Sequence, residues 1–574
     1  MKLQNTNIKP WVDFYDKGVP KTFKYPNKML WEFMLENIDK YPNSPAYEYY
    51  GTKVSFKKFK LEIEEAARGL KELGVKKDDI VTIISPNIPE AIILFYAVNM
   101  VGAVSNMIHP LSAVKEIENY LCMTNSKYVF TIDVTLDKVL EIRSNTFIDK
   151  IVVMSPSNKM NKIVKTVYNL TQKKVKVPYE KDFIISWNDF IDFGYLYDGK
   201  YIYKRDTDDP AVIMFSGGTS GKPKGIILSN KNFNAPTMQT GSMIEPAGPG
   251  DSILTIMPVF HAFGLDVCIH TPLSKGVKCT LIPIFNYKKF ARLIKQYKPN
   301  FVVGVPSLLE TMINDESIKD MDLSFVKDII VGGDVLTDQL KKSVDKFMKS
   351  HGSNATARVG YGLTEGSGPS TLMPRKIQPK ESIGIPCQDM NYRIINPETL
   401  EMLDVNEVGE IIISGPNVMI GYLNDPEENK KVFLKDKKNL WLRTGDMGKM
   451  DENGFVYFSQ RLKRIIVSSG YNVYPSQIES VISKHPLVKE VCVVSKPHPY
   501  KMYVAKAFIV LNKDVIFKDK VKKEIKDLCK EYLPKYSLPY EYEFRDELPR
   551  TNIGKIAYKI LEEEEKNKEL KKDV

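Results

Sequence analysis

The sequence predicts an α/β protein whose large N-terminal body is followed by a small, separate α+β domain. Three observations carry this. Short β-rich runs alternate with helical patterns between Ile80 and Val331, which implies βαβ units and largely parallel sheet. The rhythm changes at Arg461, which divides the chain into residues 1–460 and 461–574. Of the 574 residues, 43% are hydrophobic and 10% aromatic, enough to bury a core of that size.

The elements follow in order. Ser55 is an N-cap, and Phe56, Phe59, Ile63, Ala66, Ala67, Leu70 and Leu73 form one helical stripe that Gly74 stops. Residues 80–84 read as a buried strand ended by Ser85, Pro86 and Asn87. Residues 91–108 are apolar but interrupted by Asn99 and Asn106, so they predict a buried helix rather than a membrane span. Further strands are expected at 128–132, 151–154, 211–215, 278–282, 301–305 and 328–331. Residues 155–177 carry Lys159, Lys162, Lys165, Lys173, Lys174 and Lys176 and no acid. Met160, Ile163, Val164, Val167 and Leu170 recur there at helical spacing. This predicts a basic amphipathic helix that lies on an anionic membrane or packs on the protein itself. Asp446 to Tyr457 reads as a hairpin turning at Asn453-Gly454. From Leu561 onward the chain is nearly all charged, which predicts a solvated helix or a frayed tail.

Charge and cysteine usage narrow the partners. A net charge of +11 favours polyanions such as nucleotides, coenzyme A or anionic lipid, and no nucleic-acid-binding module accompanies it. Cys122, Cys268, Cys279, Cys387, Cys492 and Cys529 lie far apart with no CxxC, and no HExxH occurs. A disulfide framework and a zinc site are therefore not expected. With a polar N-terminus lacking a signal-peptide core, the expected compartment is the cytoplasm, with peripheral membrane contact as an option.

The sharpest local signal is FSGGTSGKPKG at 215–225, after the strand-like AVIM. Gly217, Gly218 and Gly221 free the backbone to aim N–H groups at an anion. Ser216, Thr219 and Ser220 add hydroxyls, and Lys222 and Lys224 add charge. It is not a Walker A loop, because Pro223 follows Lys222 where a magnesium-binding Ser or Thr belongs.

Further motifs follow in sequence: YGLTE at 361–365, LRTGD at 442–446, RLKRIIVSSGYNVYP at 461–475 and PRTNIGK at 549–555, with LKELGVKKDDIVTIISPNIPE near the start. In this order they resemble the adenylate-forming (AMP-binding) superfamily over nearly the whole chain. The acyl-CoA synthetase branch, most like medium- and long-chain fatty acid CoA ligases, is the nearest in kind. WVDFYDKGVPKTFKYPNKMLWEFM at 11–34 shares that likeness. The resemblance implies a multi-sheet N-terminal AMP- and acyl-binding domain and a small mobile C-terminal domain. It also implies ATP, Mg²⁺ and coenzyme A.

The chemistry explains why such motifs are needed. A carboxylate oxygen is a poor leaving group; a mixed anhydride with AMP is a good acyl donor. Making it requires two anions to be brought together and departing pyrophosphate to be stabilised. By resemblance, the 216–224 loop handles the β- and γ-phosphates, Thr364 contacts phosphate and Glu365 holds Mg²⁺. Tyr361 offers a face to adenine, as well as packing. Gly332, Gly333 and Asp334 form the adenine-edge segment. Asp446 and Arg461 take the ribose, Lys463 is the hinge, and Gly470 lets pantetheine pass. Lys555 is the catalytic lysine, and His261 lies near the substrate carboxylate. Gly362 replaces a blocking tryptophan of acetyl-specific relatives, so the acyl pocket extends. Asp266 lies five residues beyond His261 and reads as a loop or helix-surface acid rather than an amine ligand.

Gln460, Arg464 and Gln477 depart from the pattern, and the first two flank the hinge. The expected activity is ATP-dependent ligation of a medium- or long-chain fatty acid to coenzyme A. Transfer to a carrier-protein thiol, an aryl acid substrate and a non-enzymatic scaffold are the alternatives. Chain length, acceptor and oligomeric state stay open.

Overall fold

A computed structural model describes residues 9–36, 38, 40–171, 177–216, 223–464, 466–468, 471–498, 502–512, 517–533, 537–551 and 554–570. Among these, strands gather into four sheets. One sheet has the order Ile385–Pro386, Gly368–Leu372, Ala357–Leu363, Asp328–Val331, Phe301–Gly304, Ser252–Thr255, Lys278–Leu281, Pro45–Tyr49, Thr52–Ser55. Its middle strands are parallel. A second runs Gly421–Tyr422, Lys224–Ser229, Pro210–Ser216, Val104–Ile108, Ile80–Ile84, Tyr128–Ile132, Lys150–Met154, Ile184–Ser186. Between them lies the helix Pro89–Met100, buried at every position because it is apolar all round. The apolar run thus divides. The helix ends at Met100, Gly102 turns the chain at φ +76°, and Val104–Ile108 is a parallel strand beside Ile80–Ile84.

Local sequence explains the helices. Ser55 accepts from the Lys58 N–H at 3.3 Å and starts Phe56–Glu72, whose stripe is buried. Gly74 follows at φ +90°.

The third sheet holds Asn391–Ile395, Gly409–Ser414, Leu440–Met450 and Phe433–Lys435, with Val456–Arg461 paired to Leu440–Met450. The fourth draws its strands from Ile466 to Arg545. Helices Pro475–Ile482 and Lys518–Tyr532 share its main apolar cluster. The final helix, Tyr558–Leu570, is no frayed tail. Leu561 is buried beside Cys492, Val494 and Phe508, and buried Glu565 accepts from Lys506 Nζ at 2.9 Å. A single apolar position and one inward-facing acid are enough to dock it.

One buried ion pair ties together the strands that lead to the site. Arg358 donates from Nε to Asp328 Oδ1 at 3.0 Å and from its terminal nitrogens to Asp328 Oδ2 and to the Met243 and Met373 carbonyls. Such a pair is valued for fixing geometry more than for net stability.

Candidate active site

The site forms where parallel strands end, the usual place for ligands in open α/β sheets. Asp328–Val331 runs out into Gly332, Gly333 and Asp334. Gly333 has φ +81°, and a Cβ there would lie 3.3 Å from Lys555 Cε and 3.6 Å from its Nζ. Lys555 thus reaches this strand end from the C-terminal segment. It is presented by a tight turn: the Thr551 N–H donates to the Lys555 carbonyl at 2.7 Å, and Gly554, at φ +85°, sits by Ser307. Burial pulls the Lys555 pKa down and Arg461 adds to this, while Asp334 and Asp446 oppose it.

Asp446 is buried on Leu440–Met450, opposite Arg461 in the register. The Tyr361 hydroxyl donates to Asp446 Oδ2 at 2.7 Å. Arg461 Nε lies 3.1 Å from Oδ1 as an ion pair without a directed hydrogen bond, so Oδ1 has no donor among the described residues. Burial pushes the Asp446 carboxyl up, and Arg461, Tyr361 and Lys555 hold it down. Burial is the larger effect, so the carboxyl lies above its ordinary range, and its unfilled Oδ1 suits a ligand hydroxyl.

Ser216 and Lys224 are register partners at the base of the glycine-rich loop. Gly217, Gly218, Thr219, Ser220, Gly221 and Lys222 lie outside the described residues, as does Gly470. Lys224 pairs with Glu428 and lies 4.7 Å from the Tyr422 ring. The Tyr422 hydroxyl in turn donates to Glu365 Oε1 at 3.0 Å. Glu365 is therefore fixed near the loop base, in the turn Thr364–Gly366. Among the described residues no group of three or more His, Cys, Asp or Glu could hold a metal. One half-buried carboxylate near the base of the glycine-rich segment fits Mg²⁺, which takes one or two carboxylates plus phosphate oxygens and water.

His261 precedes the π-helix Phe263–His270. Asn87 clamps the chain before it, donating to the Thr255 and Met257 carbonyls at 3.0 Å and accepting from the Val259 N–H at 2.9 Å. Burial pushes the His261 pKa down to about 4, reinforced by His109 and Lys555. His109 was not singled out from the sequence. It follows the strand Val104–Ile108 and packs 4.2 Å from the Phe260 ring, and its only sequence signal is a histidine at a strand's carboxyl end.

One expectation is corrected here, and another gains a physical reason. Asp266 is not a surface acid. It is fully buried, Oδ1 accepts from Thr237 at 3.2 Å, Oδ2 has no partner among the described residues, and burial raises its pKa well above the usual range. Its helix is buried at nearly every position, so no solvent-facing side is left for the acid. At Gly362, a Cβ would lie 1.8 Å from the Gly368 carbonyl oxygen. Glycine is required there by close backbone approach, so a tryptophan would displace the hairpin rather than simply plug the pocket. Behind that hairpin lies a narrow apolar cavity of about 50 Å³, lined by Val267, Val303, Ile330, Pro369 and Leu372 among others.

At the boundary, Lys463 lies in the short turn Leu462–Arg464. Gln460 is buried and accepts from the Ser476 hydroxyl at 3.1 Å. Arg464 pairs with Glu479 at 2.6 Å, and Gln477 is exposed.

Comparison with known proteins places the chain. A family model described as AMP-binding enzyme matches residues 34–423, and one described as AMP-binding enzyme C-terminal domain matches 477–555. The chain is 32% identical over 570 residues to a long-chain-fatty-acid–CoA ligase of Bacillus subtilis, covering 98% of this chain and 99% of that one. It is 29% identical over 577 residues to a long-chain-fatty-acid–CoA ligase of Haemophilus influenzae, covering 97% and 98%. In fold it is similar to ATP-bound MatB from Rhodopseudomonas palustris, with TM-score 0.80, 22% identity and coverage of 94% and 99%.

The depressed His261 pKa makes a prediction about stability. The unfolded chain takes up this proton near 6.5 and the folded chain only near 4. Stability contributed by neutral His261 is full above that window and is lost as pH falls through it, at up to ~1.4 kcal/mol per pH unit. His261→Gln should flatten the acid limb of a denaturant-midpoint profile between those values. Buried His270, held down to about 3, leaves a residual slope.

Proposed function

The chain belongs to the AMP-binding enzyme family, and from that premise we propose that it is an ATP-dependent acyl-CoA ligase acting on medium- or long-chain fatty acids. In this reading residues 1–460 are the AMP- and acyl-binding domain and 461–574 the mobile one. One observation carries the proposal: Lys555, from the C-terminal segment, lies against Gly333 in the electrostatic neighbourhood of Asp334, Asp446 and Arg461.

In the first half-reaction a carboxylate oxygen attacks the α-phosphorus of ATP, and the bond to pyrophosphate breaks. Lys555 neutralises charge as it develops. Asp446 Oδ1 takes the ribose hydroxyls, Arg461 pairs with it and opposes the effect of burial, and Tyr361 fixes its other oxygen. Thr364 and the 216–224 loop, Lys224 included, receive phosphate. Glu365 would hold Mg²⁺, whose charge offsets that of the phosphates. Neutral His261 orients the acid. In the second half-reaction the coenzyme A sulfur attacks the acyl carbon and AMP leaves. This step needs Lys555 withdrawn about Lys463 and pantetheine admitted past Gly470.

A second observation supports peripheral contact with an anionic membrane. No helix among the described residues is long and apolar enough to cross a membrane. The apolar stripe of Lys162–Thr171 divides: Val164 and Tyr168 pack on the core, while Ile163, Val167 and Leu170 are 79%, 55% and 81% exposed. Lys162 and Lys165 flank them, and Lys159 pairs with Glu62 at 2.8 Å. Lys173, Lys174 and Lys176 lie outside the described residues. Three exposed aliphatic side chains on one basic helix suit the headgroup boundary of anionic lipid.

Pyrophosphate release across a panel of carboxylic acids, with and without coenzyme A, tests the activity. Dodecanoate should exceed acetate in kcat/KM by about a thousandfold or more, at ~0.8 kcal/mol per buried CH₂. Acid-dependent release without thioester would favour a carrier-protein acceptor, and no release with any acid would remove the proposal. For the membrane, cosedimentation should be strong with phosphatidylglycerol vesicles and weak with phosphatidylcholine. Leu170→Asp or added salt should weaken it; binding blind to lipid charge and to that substitution would contradict the reading.

A further inference from the structure

Lys275 ends the helical run that starts at Phe263, and it lines two neighbouring cavities at once. The first is the apolar cavity behind the Gly362–Gly368 hairpin. The second opens past Lys40 and Tyr41, and the two share Ala247 and Lys275 as walls.

Strand direction shows where Lys275 sits. Phe301–Gly304 and Asp328–Val331 are parallel, and their carboxyl ends lead to Val305 and Gly333 beside Lys555. The cavity extends backward from Val303 and Ile330 to Phe301 and Val277, at the amino ends of the strands. Ile253 pairs with both Phe301 and Cys279, so Val277 lies near the level of Phe301. From Phe301 to Val305 an extended chain climbs ~13 Å. Lys275 therefore stands at the end of the cavity remote from Lys555.

Its side chain is also built into place. A Cβ on Gly241 would lie 2.5 Å from Lys275 Cε and 3.2 Å from Nζ, so the stem crosses the helix Asn230–Met243 where that helix has no side chain. Burial lowers its pKa and no nearby acid opposes the shift. No carboxylate or hydrogen-bond acceptor among the described residues holds the ammonium. Complementing a helix C-terminus accounts for a lysine at this position, but not for a stem laid over a glycine between two cavities.

We propose that Lys275 binds the distal carboxylate of an α,ω-dicarboxylic acid whose other carboxyl group is activated at the Lys555 end. The apolar walls would take the methylenes, and the ammonium would meet the far carboxylate where the second cavity admits water. The proposal rests on the acyl-CoA ligase reading and narrows its substrate class.

The test compares dodecanedioate with dodecanoate, using full-length protein with ATP, Mg²⁺ and coenzyme A. Lys275→Met keeps the stem over Gly241 and removes the charge. It should lower the dicarboxylate-to-monocarboxylate ratio of kcat/KM by about tenfold or more, mainly through KM, and Lys275→Arg should restore most of it. If the Met variant does not fold, Lys275→Gln reads the same ratio. An unchanged ratio would overturn the proposal. So would an equal fall for both acids, which is what a lysine guiding any entering carboxylate would give. Activation of dodecanoate but not dodecanedioate by the unmodified protein would overturn it and leave the ligase reading standing. Release with neither acid would remove both.

Discussion

The site depends on one insertion. The stem of Lys555, carried by the C-terminal segment, lies against Gly333 at the end of a parallel strand. A side chain at Gly333 would be strained at φ +81° and would press on that stem. The lysine can therefore be admitted only while the strand ends hold their places. The Arg358–Asp328 pair joins the strand leading to Gly333 to the strand carrying Tyr361, and it reaches two further carbonyls. A buried pair so fully bonded has few alternative geometries. In the proposed reading, rigidity comes from the N-terminal body and the movable charge from the C-terminal segment.

The charges around Lys555 fit that division. Asp334 and Asp446 offset the burial that depresses it, and Arg461 is shared between favouring Asp446 and disfavouring Lys555. Burial favours the neutral form of both nearby histidines, His261 and His109. The boundary residues bear on the rotation proposed for the C-terminal segment. Gln460 bonds across it to Ser476, whereas Arg464 finds its acid, Glu479, on the far side. Rotation about the turn Leu462–Arg464 would break the first contact and spare the second. An arginine where an acid was anticipated is therefore accommodated within the C-terminal sheet's own helix.

Much of this was legible in the sequence because the chemistry demands particular residue types in fixed local order. The Gly/Ser loop base, Tyr361, Glu365, Asp446, Arg461 and Lys555 all announced themselves that way. Alternating strands and helices also gave the α/β class, since period and turn residues are local properties. What stayed hidden depended on distant contacts. His109 meets Phe260 only through the fold. Asp266 sits on a helix that the fold buries on nearly every side, which residue spacing does not reveal. Gly362 was read as an absent side chain, while the contact that requires it comes from the Gly368 carbonyl. The stripe at 160–170 was one face by periodicity, and only packing divided it into an inner and an outer set. The charged C-terminal run hid Leu561 and Glu565, because burial of two residues leaves composition almost unchanged.

The central claim is that Lys555 serves adenylation alone, from an orientation the C-terminal segment later leaves. Measuring both half-reactions of Lys555→Ala tests it most directly. Acid-dependent pyrophosphate release should fall by several hundredfold, consistent with losing ~3–4 kcal/mol of preorganised cationic stabilisation. Thioester formation from supplied dodecanoyl-AMP and coenzyme A should proceed at nearly the unmodified rate. Equal slowing of the two half-reactions would contradict the account, because one arrangement of Lys555 would then have to serve both steps.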